Sequence, residues 1–256
     1  MTSAAQELSE LVADVLAAAE DARGRGFVAA PPGEIPAADE GSEPPESTSS
    51  AAAGWSAIAA EARSGDRHAP RELKRVRDEL GDCRRCALCQ NRRTLVFGVG
   101  DPDADLVVMG EAPGDHEDRK GEPFVGPSGQ MLDKMLVHVL GLQRSEAYIL
   151  NVVKCRPPRN RNPLPDEVEA CRPFLEAQLR AIQPKMVLLL GGVAFKALFR
   201  TNEGITRVRG QWRDYHGVPV MPTFHPAYLL RNPAEKRKTF ADLKLVRDRY
   251  DALTRR

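Results

Sequence analysis

The chain has 256 residues, 42% of them hydrophobic and 29% charged, a composition that fits one globular domain with an appendage. It contains no run of about 18 apolar residues, so we expect no membrane span. The N-terminus lacks the charged-then-apolar pattern of a secretory signal, and we therefore expect a cytoplasmic protein.

Charge is unevenly distributed along the chain, although the formal net charge is only +1. Residues 1–50 hold ten Asp or Glu against two Arg, whereas the remainder holds 26 acidic against 35 basic residues. A basic domain with an acidic tail is the balance expected when the folded part meets a polyanion. A generally charged surface would give the same balance, so charge alone favours a nucleic-acid partner only slightly.

Residues 1–75 are predicted to be a mostly disordered N-terminal extension, and residues 76–256 the folded domain. Leucines and valines in residues 1–25 are spaced as in an amphipathic helix. From Ala29 to Ala60 the composition shifts to Pro, Ser, Glu, Gly and Ala, which bury too little apolar surface to offset the entropy of ordering.

Strands and helices are predicted to alternate after this extension. Four apolar runs are predicted strands: Leu106–Met109, Tyr148–Val153, Met186–Leu190 and Val218–Phe224. Helical patterns cover Pro70–Leu80, Gly129–Leu140, Asp166–Ile182, Val193–Phe199 and Ala234–Leu253. This alternation predicts an α/β fold with three layers, α/β/α, around a central four-stranded, mainly parallel sheet.

The segment from Gly110 to Asp133 is predicted to be a long loop between a strand and a helix, with Ser128 as the helix N-cap. Glycine and proline alone would also fit a structural turn. A loop of this length inside a compact domain is usually functional, however, so we interpret it as an active-site loop.

Small or polar residues stand at the ends of all four predicted strands. Gly110 and Glu111 follow the first, Asn151 lies within the second, Gly191 closes the third and His225 closes the fourth. Because ligands bind outside the carboxyl ends of strands in open α/β sheets, these positions predict one shared site.

The five cysteines do not suggest a disulfide framework, because their number is odd and the expected compartment is reducing. Cys83 and Cys86 form a CxxC pair, which Cys89 extends, while Cys155 and Cys171 lie far along the chain. Four thiolates suit either a structural zinc or an iron–sulfur cluster. The two distant cysteines also fit ordinary core positions, and spacing alone does not select the ligands.

Four separate motifs occur in order, at Gly110–Gly114, Pro123–Gly126, Asn151–Pro158 and His225–Pro233. Together they resemble those of the type-4 uracil-DNA glycosylases, the iron–sulfur branch of that superfamily. The likeness runs from about Leu80 to the C-terminus. It implies a monomer that excises uracil from DNA by hydrolysing the N-glycosidic bond, leaves an abasic site and so initiates base excision repair.

The resemblance also implies a [4Fe-4S] cluster, usually regarded as structural. Carried over residue by residue, its ligands are Cys83, Cys86, Cys155 and Cys171. Cys89 is then a spare cysteine.

By the same resemblance the substrate site comprises Gly110, Glu111, Ala112, Phe124, Asn151 and His225. Phe124 would stack on the extruded base, although a core aromatic is the alternative. Asn151 would present a donor and an acceptor to the uracil edge, and His225 a donor to its O2 side.

The catalytic candidates are Glu111, Glu117 and His225, with Asp115 behind them. Other branches of the superfamily place an acidic residue at the position of Ala112, so the general base stays open here. We expect Glu117 to fill the space that the thymine methyl group would need, although a solvated loop charge is the alternative.

Contacts to DNA phosphates are expected from Arg156, Arg159 and Arg161, and more weakly from 236–238. Leu229 or Leu230 is expected to wedge into the gap left by the base. Two alternatives remain open: an iron–sulfur redox protein, and a uracil-DNA-binding protein without turnover. One related branch traps its substrate through a loop histidine, but the corresponding loop here, 156–163, has none.

Overall fold

A mixed β-sheet organises residues 69–254, the part of the chain that the computed structural model describes. Its strands are β1 (Val99–Gly100), β2 (Leu106–Gly110), β3 (Tyr148–Asn151), β4 (Met186–Leu190), β5 (Arg213–Tyr215) and β6 (Val218–Thr223). They lie in the order β1-β3-β2-β4-β6-β5. The predicted helix at 1–25 and the predicted disorder of Ala29–Ala60 lie outside the described residues.

The α-helices are α1 (Ala69–Leu80), α2 (Asp115–Lys120), α3 (Pro127–Met135), α4 (Pro165–Ile182), α5 (Gly192–Phe199), α6 (Ile205–Val208), α7 (Pro226–Arg231) and α8 (Lys236–Thr254). A π-helical turn, Leu136–Leu140, extends α3. The 3₁₀ turns are Ala87–Gln90, Arg144–Glu146, Pro158–Asn160 and Pro233–Glu235. Among residues 69–254, no helix combines the length and apolarity needed to cross a bilayer.

The four predicted strands form the parallel centre of the sheet as β3, β2, β4 and β6. Strands β2 and β4 are apolar at nearly every position and buried throughout, as expected for strands covered on both faces. Two short antiparallel strands, β1 and β5, extend the sheet at its edges. They escaped prediction because two or three residues carry no measurable periodicity.

Helices cover both faces of the sheet. Leu106 and Val108 of β2 pack with Leu132 of α3 and Leu243 of α8 in one buried cluster. Because side chains alternate along a strand, Val107 points to the other face, where it is equally buried. The connection from β2 to β3 through α3 moves toward the β1 edge of the sheet, whereas the connection from β3 to β4 through α4 moves toward the β5 edge. Because connections between parallel strands are right-handed, α4 lies on the face opposite to α3. This is the predicted three-layer arrangement.

The segment predicted as one long loop after β2 contains the short helix α2. The next helix starts earlier than predicted, with Gly126 at the N-cap and Pro127 at the first helical position, so the assignment of Ser128 as N-cap was wrong. Proline fits that position because its missing N–H would have had no partner within the helix.

The register of the parallel strands brings their carboxyl ends together. Gly110 of β2 lies opposite Asn151 of β3, and Leu190 of β4 lies opposite Thr223 of β6. The segments that follow these four strands therefore share one edge of the sheet.

Candidate active site

A cavity of about 570 Å³ opens at this edge of the sheet. Its walls come from the segment after β2, the end of β3, the loop that follows β3 and the start of α7. Five of the six residues predicted to bind substrate line it: Glu111, Ala112, Phe124, Asn151 and His225. The structure thus brings together side chains that lie more than 100 residues apart in the sequence.

The sixth residue, Gly110, ends β2 directly behind the cavity. A Cβ atom there would lie 2.5 Å from both Asn151 Oδ1 and Phe124 Cζ. Only glycine therefore allows the amide and the ring to approach β2 so closely. Gly129 has a similar role, because its Cβ would lie 1.9 Å from the Phe124 carbonyl oxygen.

Phe124 has a left-handed backbone, with φ of 53°, which is uncommon for an aromatic residue and marks a constrained position. Its side chain is buried within the main hydrophobic cluster and also lines the cavity, so it is a core aromatic whose stacking on a base stays a prediction. The ring centroid lies 5.6 Å from that of His225, with 28° between the planes.

Asn151 is 2% exposed, and its Oδ1 atom has no hydrogen-bond partner among the described residues. Leaving a buried acceptor unpaired costs roughly 1–3 kcal/mol. A native fold rarely accepts this cost without a reason, and here the residue lines a cavity large enough for a ligand. The amide is therefore placed to accept a hydrogen bond from a bound molecule.

His225 is the N-cap of α7, and its Nδ1 accepts a hydrogen bond of 3.1 Å from the Ala227 N–H. Burial, followed by the charge of Arg231, lowers the pKa of His225 to about 4, although Glu117 opposes the shift. The imidazole is therefore neutral at pH 7. With Nδ1 occupied as an acceptor, its proton lies on Nε2, which can donate.

Glu117 is buried, and its carboxylate accepts hydrogen bonds from three backbone N–H groups: Gly114 at 3.1 Å, Val125 at 2.9 Å and Gly126 at 3.0 Å. The interpretation as a solvated loop charge is wrong. The hydrogen bonds from Val125 and Gly126 attach the segment that contains Phe124 to helix α2. Its predicted role in excluding thymine stays a prediction.

Glu111 follows β2 immediately and lines the cavity beside Ala112. Burial raises the pKa of Glu111 to about 7. A carboxyl group with that pKa populates both its ionised and its protonated form at neutral pH. Such a group suits proton transfer or the orientation of a water molecule.

Two of the three arginines predicted to bind DNA form ion pairs. Arg156 bonds to Asp115, a residue that lines the cavity. Arg161 binds both carboxylate oxygens of Glu167, at 2.8 and 2.6 Å. Arg159 is exposed and forms no ion pair with the described residues. Its exposed cation is available for a phosphate contact, and the DNA contacts of all three arginines stay predictions.

Arg231 is a functional candidate that the sequence analysis did not single out. It is exposed, lines the cavity and forms no ion pair within residues 69–254, while its charge acts on His225. Its position within the motif that begins at His225 was the available signal. Of the weaker candidates at 236–238, Lys238 pairs with Glu235 at 2.9 Å.

The two leucines after His225 differ sharply in exposure. Leu229 is 1% exposed and belongs to the main hydrophobic cluster, so its assignment as a DNA contact was wrong. Leu230 is 44% exposed and is available as a wedge. Tyr228, one residue earlier, lines the cavity and packs on Phe224 at 5.0 Å between ring centroids.

Four cysteines line a second, smaller cavity between residues 80–95, called here the N-terminal segment, the loop after β3 and α4. They are Cys83, Cys86, Cys155 and Cys171, the four that the resemblance selects, whereas Cys89 does not line it. Within the described residues, no three His, Cys, Asp or Glu side chains converge closely enough to hold one ion. Four thiols around a common space nevertheless suit a cluster, in which each thiolate binds a different iron.

Arg92 connects this cavity to the N-terminal segment. Its guanidinium donates to the Cys155 Sγ at 3.2 Å, the Cys83 carbonyl at 2.7 Å and Asp82 at 2.5 Å. Burial raises the pKa of the Cys155 thiol to about 11, and the Arg92 cation opposes that shift toward the protonated form.

Comparisons with known proteins agree on one family. A family profile described as the uracil DNA glycosylase superfamily matches residues 97–244. The protein named type-4 uracil-DNA glycosylase from Sulfurisphaera tokodaii is 41% identical over 184 residues, covering 69% of this chain and 84% of that protein. Those of the same name from Saccharolobus solfataricus and Thermotoga maritima are 39% and 45% identical, covering 69% and 61% of this chain and 85% and 82% of theirs.

Proposed function

The chain belongs to the type-4 uracil-DNA glycosylases, and from that premise we propose that it hydrolyses the bond between uracil and deoxyribose in DNA. The product is an abasic site, the entry point of base excision repair. The observation that carries this proposal is the buried, unpaired Oδ1 of Asn151 in a cavity shared with Phe124 and His225.

Uracil recognition follows from the chemistry of the amide. Oδ1 of Asn151 accepts from the uracil N3–H, and its NH₂ group donates to O4. Cytosine presents the opposite order of donor and acceptor, so a fixed amide rejects it. Unstacking the base costs a few kcal/mol, and stacking on the Phe124 ring, worth about 1–3 kcal/mol, offsets part of that cost.

Bond cleavage places negative charge on the departing uracil, chiefly toward O2. Neutral His225 donates a hydrogen bond from its Nε2–H to that oxygen and keeps the proton. A preorganised donor of this kind typically supplies the largest single catalytic contribution. The low pKa of His225, about 4, keeps this donor in one protonation state across the physiological range.

Of the two glutamates proposed as catalytic, Glu111 suits the role of orienting the attacking water. It lines the cavity, and its pKa of about 7 matches the operating pH of a general base. Both carboxylate oxygens of Glu117 already accept backbone hydrogen bonds, so we assign Glu117 a positioning role.

This assignment predicts a pH dependence. If the ionised form of Glu111 orients water, kcat rises between about pH 6 and pH 8 as the carboxyl with pKa near 7 loses its proton. His225 adds nothing to this limb, because its pKa is about 4. Glu111→Gln should lower kcat and flatten the limb. A limb that persists unchanged in the Gln variant would assign the titration to another group.

The cofactor of this family is a [4Fe-4S] cluster, and we propose Cys83, Cys86, Cys155 and Cys171 as its ligands. When bound, the cluster supplies four iron–thiolate bonds that cross-link three segments of the chain. Two of the ligands, Cys155 and Cys171, are buried, which suits a structural centre shielded from solvent.

We propose that Arg159 and Arg231 contact phosphates beside the extruded nucleotide and that Leu230 occupies the gap in the base stack. All three are exposed: Arg231 lines the cavity, Leu230 precedes it in α7, and Arg159 lies in the turn Pro158–Asn160, whose last residue lines the cavity. We further propose that the chain acts as a monomer in the cytoplasm, which sedimentation with uracil-containing DNA and cell fractionation would test.

The test of the activity is release of free base from an oligonucleotide with one deoxyuridine. The purified protein should release uracil and leave an alkali-labile site, whereas matched oligonucleotides with thymine or cytosine stay intact. Asn151→Ala should reduce release strongly, since the proposed contacts to N3 and O4 are lost.

The outcome also separates the alternatives. A redox protein would release no base at all. A binder without turnover would retain the oligonucleotide without producing abasic sites, and a covalent trap would give a band resistant to denaturation.

A further inference from the structure

Lys154 is a lysine buried in the interior, with 1% of its surface exposed. It lies three residues after Asn151 and lines the cavity that holds the four cysteines. Among residues 69–254 no carboxylate forms an ion pair with it. Burying an ammonium group is costly unless it is paired and hydrogen-bonded, so this position calls for an explanation.

The hydrogen bonds of Lys154 point in two directions. Its Nζ donates to the Asn151 carbonyl oxygen at 2.7 Å. Its backbone N–H bonds to the Cys171 thiol. The side chain of Lys154 therefore lies between the cavity of the four cysteines and the end of β3.

The Asn151 carbonyl needs such a partner because of its place in the sheet. The N–H of the next residue, Val152, donates to the Gly110 carbonyl on β2 at 2.9 Å. Because the backbone groups of successive residues point to opposite sides of a strand, the Asn151 carbonyl points to the β1 side. Strand β1 is too short to reach it, since it pairs only with Tyr148 and Ile149. Lys154 Nζ replaces the missing strand partner.

We propose that Lys154 is a positioning residue that couples the cysteine cluster to the base-binding amide of Asn151. Lys154 lines the cavity of the four cysteines, and its Nζ holds the backbone carbonyl at the end of β3 from which the Asn151 side chain reaches the base. The inference rests on the proposed function, and it makes the cluster a support for specificity as well as for stability. Residues that orient a binding group from behind typically change activity by about 10–100-fold when replaced.

The test uses the full-length protein with its cluster, comparing wild type and Lys154→Met, which keeps the length of the side chain without the charge. Rates per cluster-bearing molecule are obtained by dividing activity by iron content. We expect kcat to fall about 10–100-fold and inhibition by free uracil to weaken, with little change in KM for DNA, since phosphate contacts are untouched.

A double-mutant cycle with Asn151→Ala identifies the route of the effect. If Lys154 acts through the amide, Lys154→Met causes no further loss once Asn151 is alanine. Multiplicative losses would overturn the proposal, as would full activity of Lys154→Met. If that variant loses its iron, Lys154→Gln, which keeps a donor, repeats the cycle. Iron loss in both would make Lys154 a purely structural residue and overturn the inference.

Lys185→Met is the control. That lysine also donates to a backbone carbonyl, of Leu253 at 3.3 Å, but it is half-buried, pairs with Asp105 at 3.0 Å and precedes β4 at the opposite edge of the sheet. Its activity per iron should equal that of wild type. An inactive wild-type protein would defeat the proposed function itself, whereas an active wild type with an indifferent Lys154 defeats only this inference.

Discussion

His225→Ala is expected to lower kcat for uracil release by roughly 10²–10³-fold, the usual cost of removing one preorganised donor to a developing anion. The interaction strengthens as charge moves onto the leaving base, so KM should change little. Single-turnover release from a deoxyuridine oligonucleotide measures the effect on the chemical step.

His216→Ala serves as the control for this substitution. His216 lies in the turn between β5 and β6, at the sheet edge opposite the cavity, so its removal should leave the rate unchanged. A His225→Ala enzyme within threefold of wild type would exclude the donor role. An equal rise in KM with unchanged kcat would instead assign His225 to binding of the ground state.

Cys155→Ala is expected to abolish the full cluster and to destabilise the domain. The thiol is buried beside Arg92 and links the loop after β3 to the N-terminal segment. By analogy with loss of a covalent cross-link, we expect a cost of roughly 2–5 kcal/mol. For a domain of this size that corresponds to a fall in Tm of about 4–20 °C. Iron analysis, visible absorbance and thermal unfolding measure the three consequences.

Cys89→Ala provides the comparison within the same cysteine-rich segment. Because Cys89 does not line the cavity of the other four thiols, its removal should leave iron content and Tm at wild-type values. Iron loss from Cys89→Ala, together with retention in Cys155→Ala, would reverse the proposed ligand set.

The central sheet could be predicted because its signals are local. Runs such as Leu106–Met109 and Met186–Leu190 are apolar at every position, which only strands buried on both faces require. The site could be predicted in outline for a related reason. Parallel strands end at one edge, so Asn151 and His225 had to lie on the same side of the sheet once the strand assignment was correct.

What escaped prediction depends on which side chains meet in the folded chain. Arg161 pairs with Glu167, and Arg156 pairs with Asp115. The sequence shows only that these arginines are present and does not show which carboxylates they meet. Leu229 and Leu230 are chemically identical, and only the phase of the short helix α7 buries one and exposes the other. The buried ammonium of Lys154 likewise looks like an ordinary surface charge in the sequence.

The three backbone hydrogen bonds accepted by Glu117 have a consequence for substrate choice. They hold the aromatic wall of the cavity in its left-handed backbone before any nucleotide arrives. A cavity whose shape and hydrogen-bonding groups are set in advance discriminates among the bases that reach it by those two properties, independently of how each base became available. The ratio of rates for uracil over cytosine should therefore be the same in a hairpin loop and in a single strand, where neither base is paired, even though the absolute rates differ with the ease of extrusion.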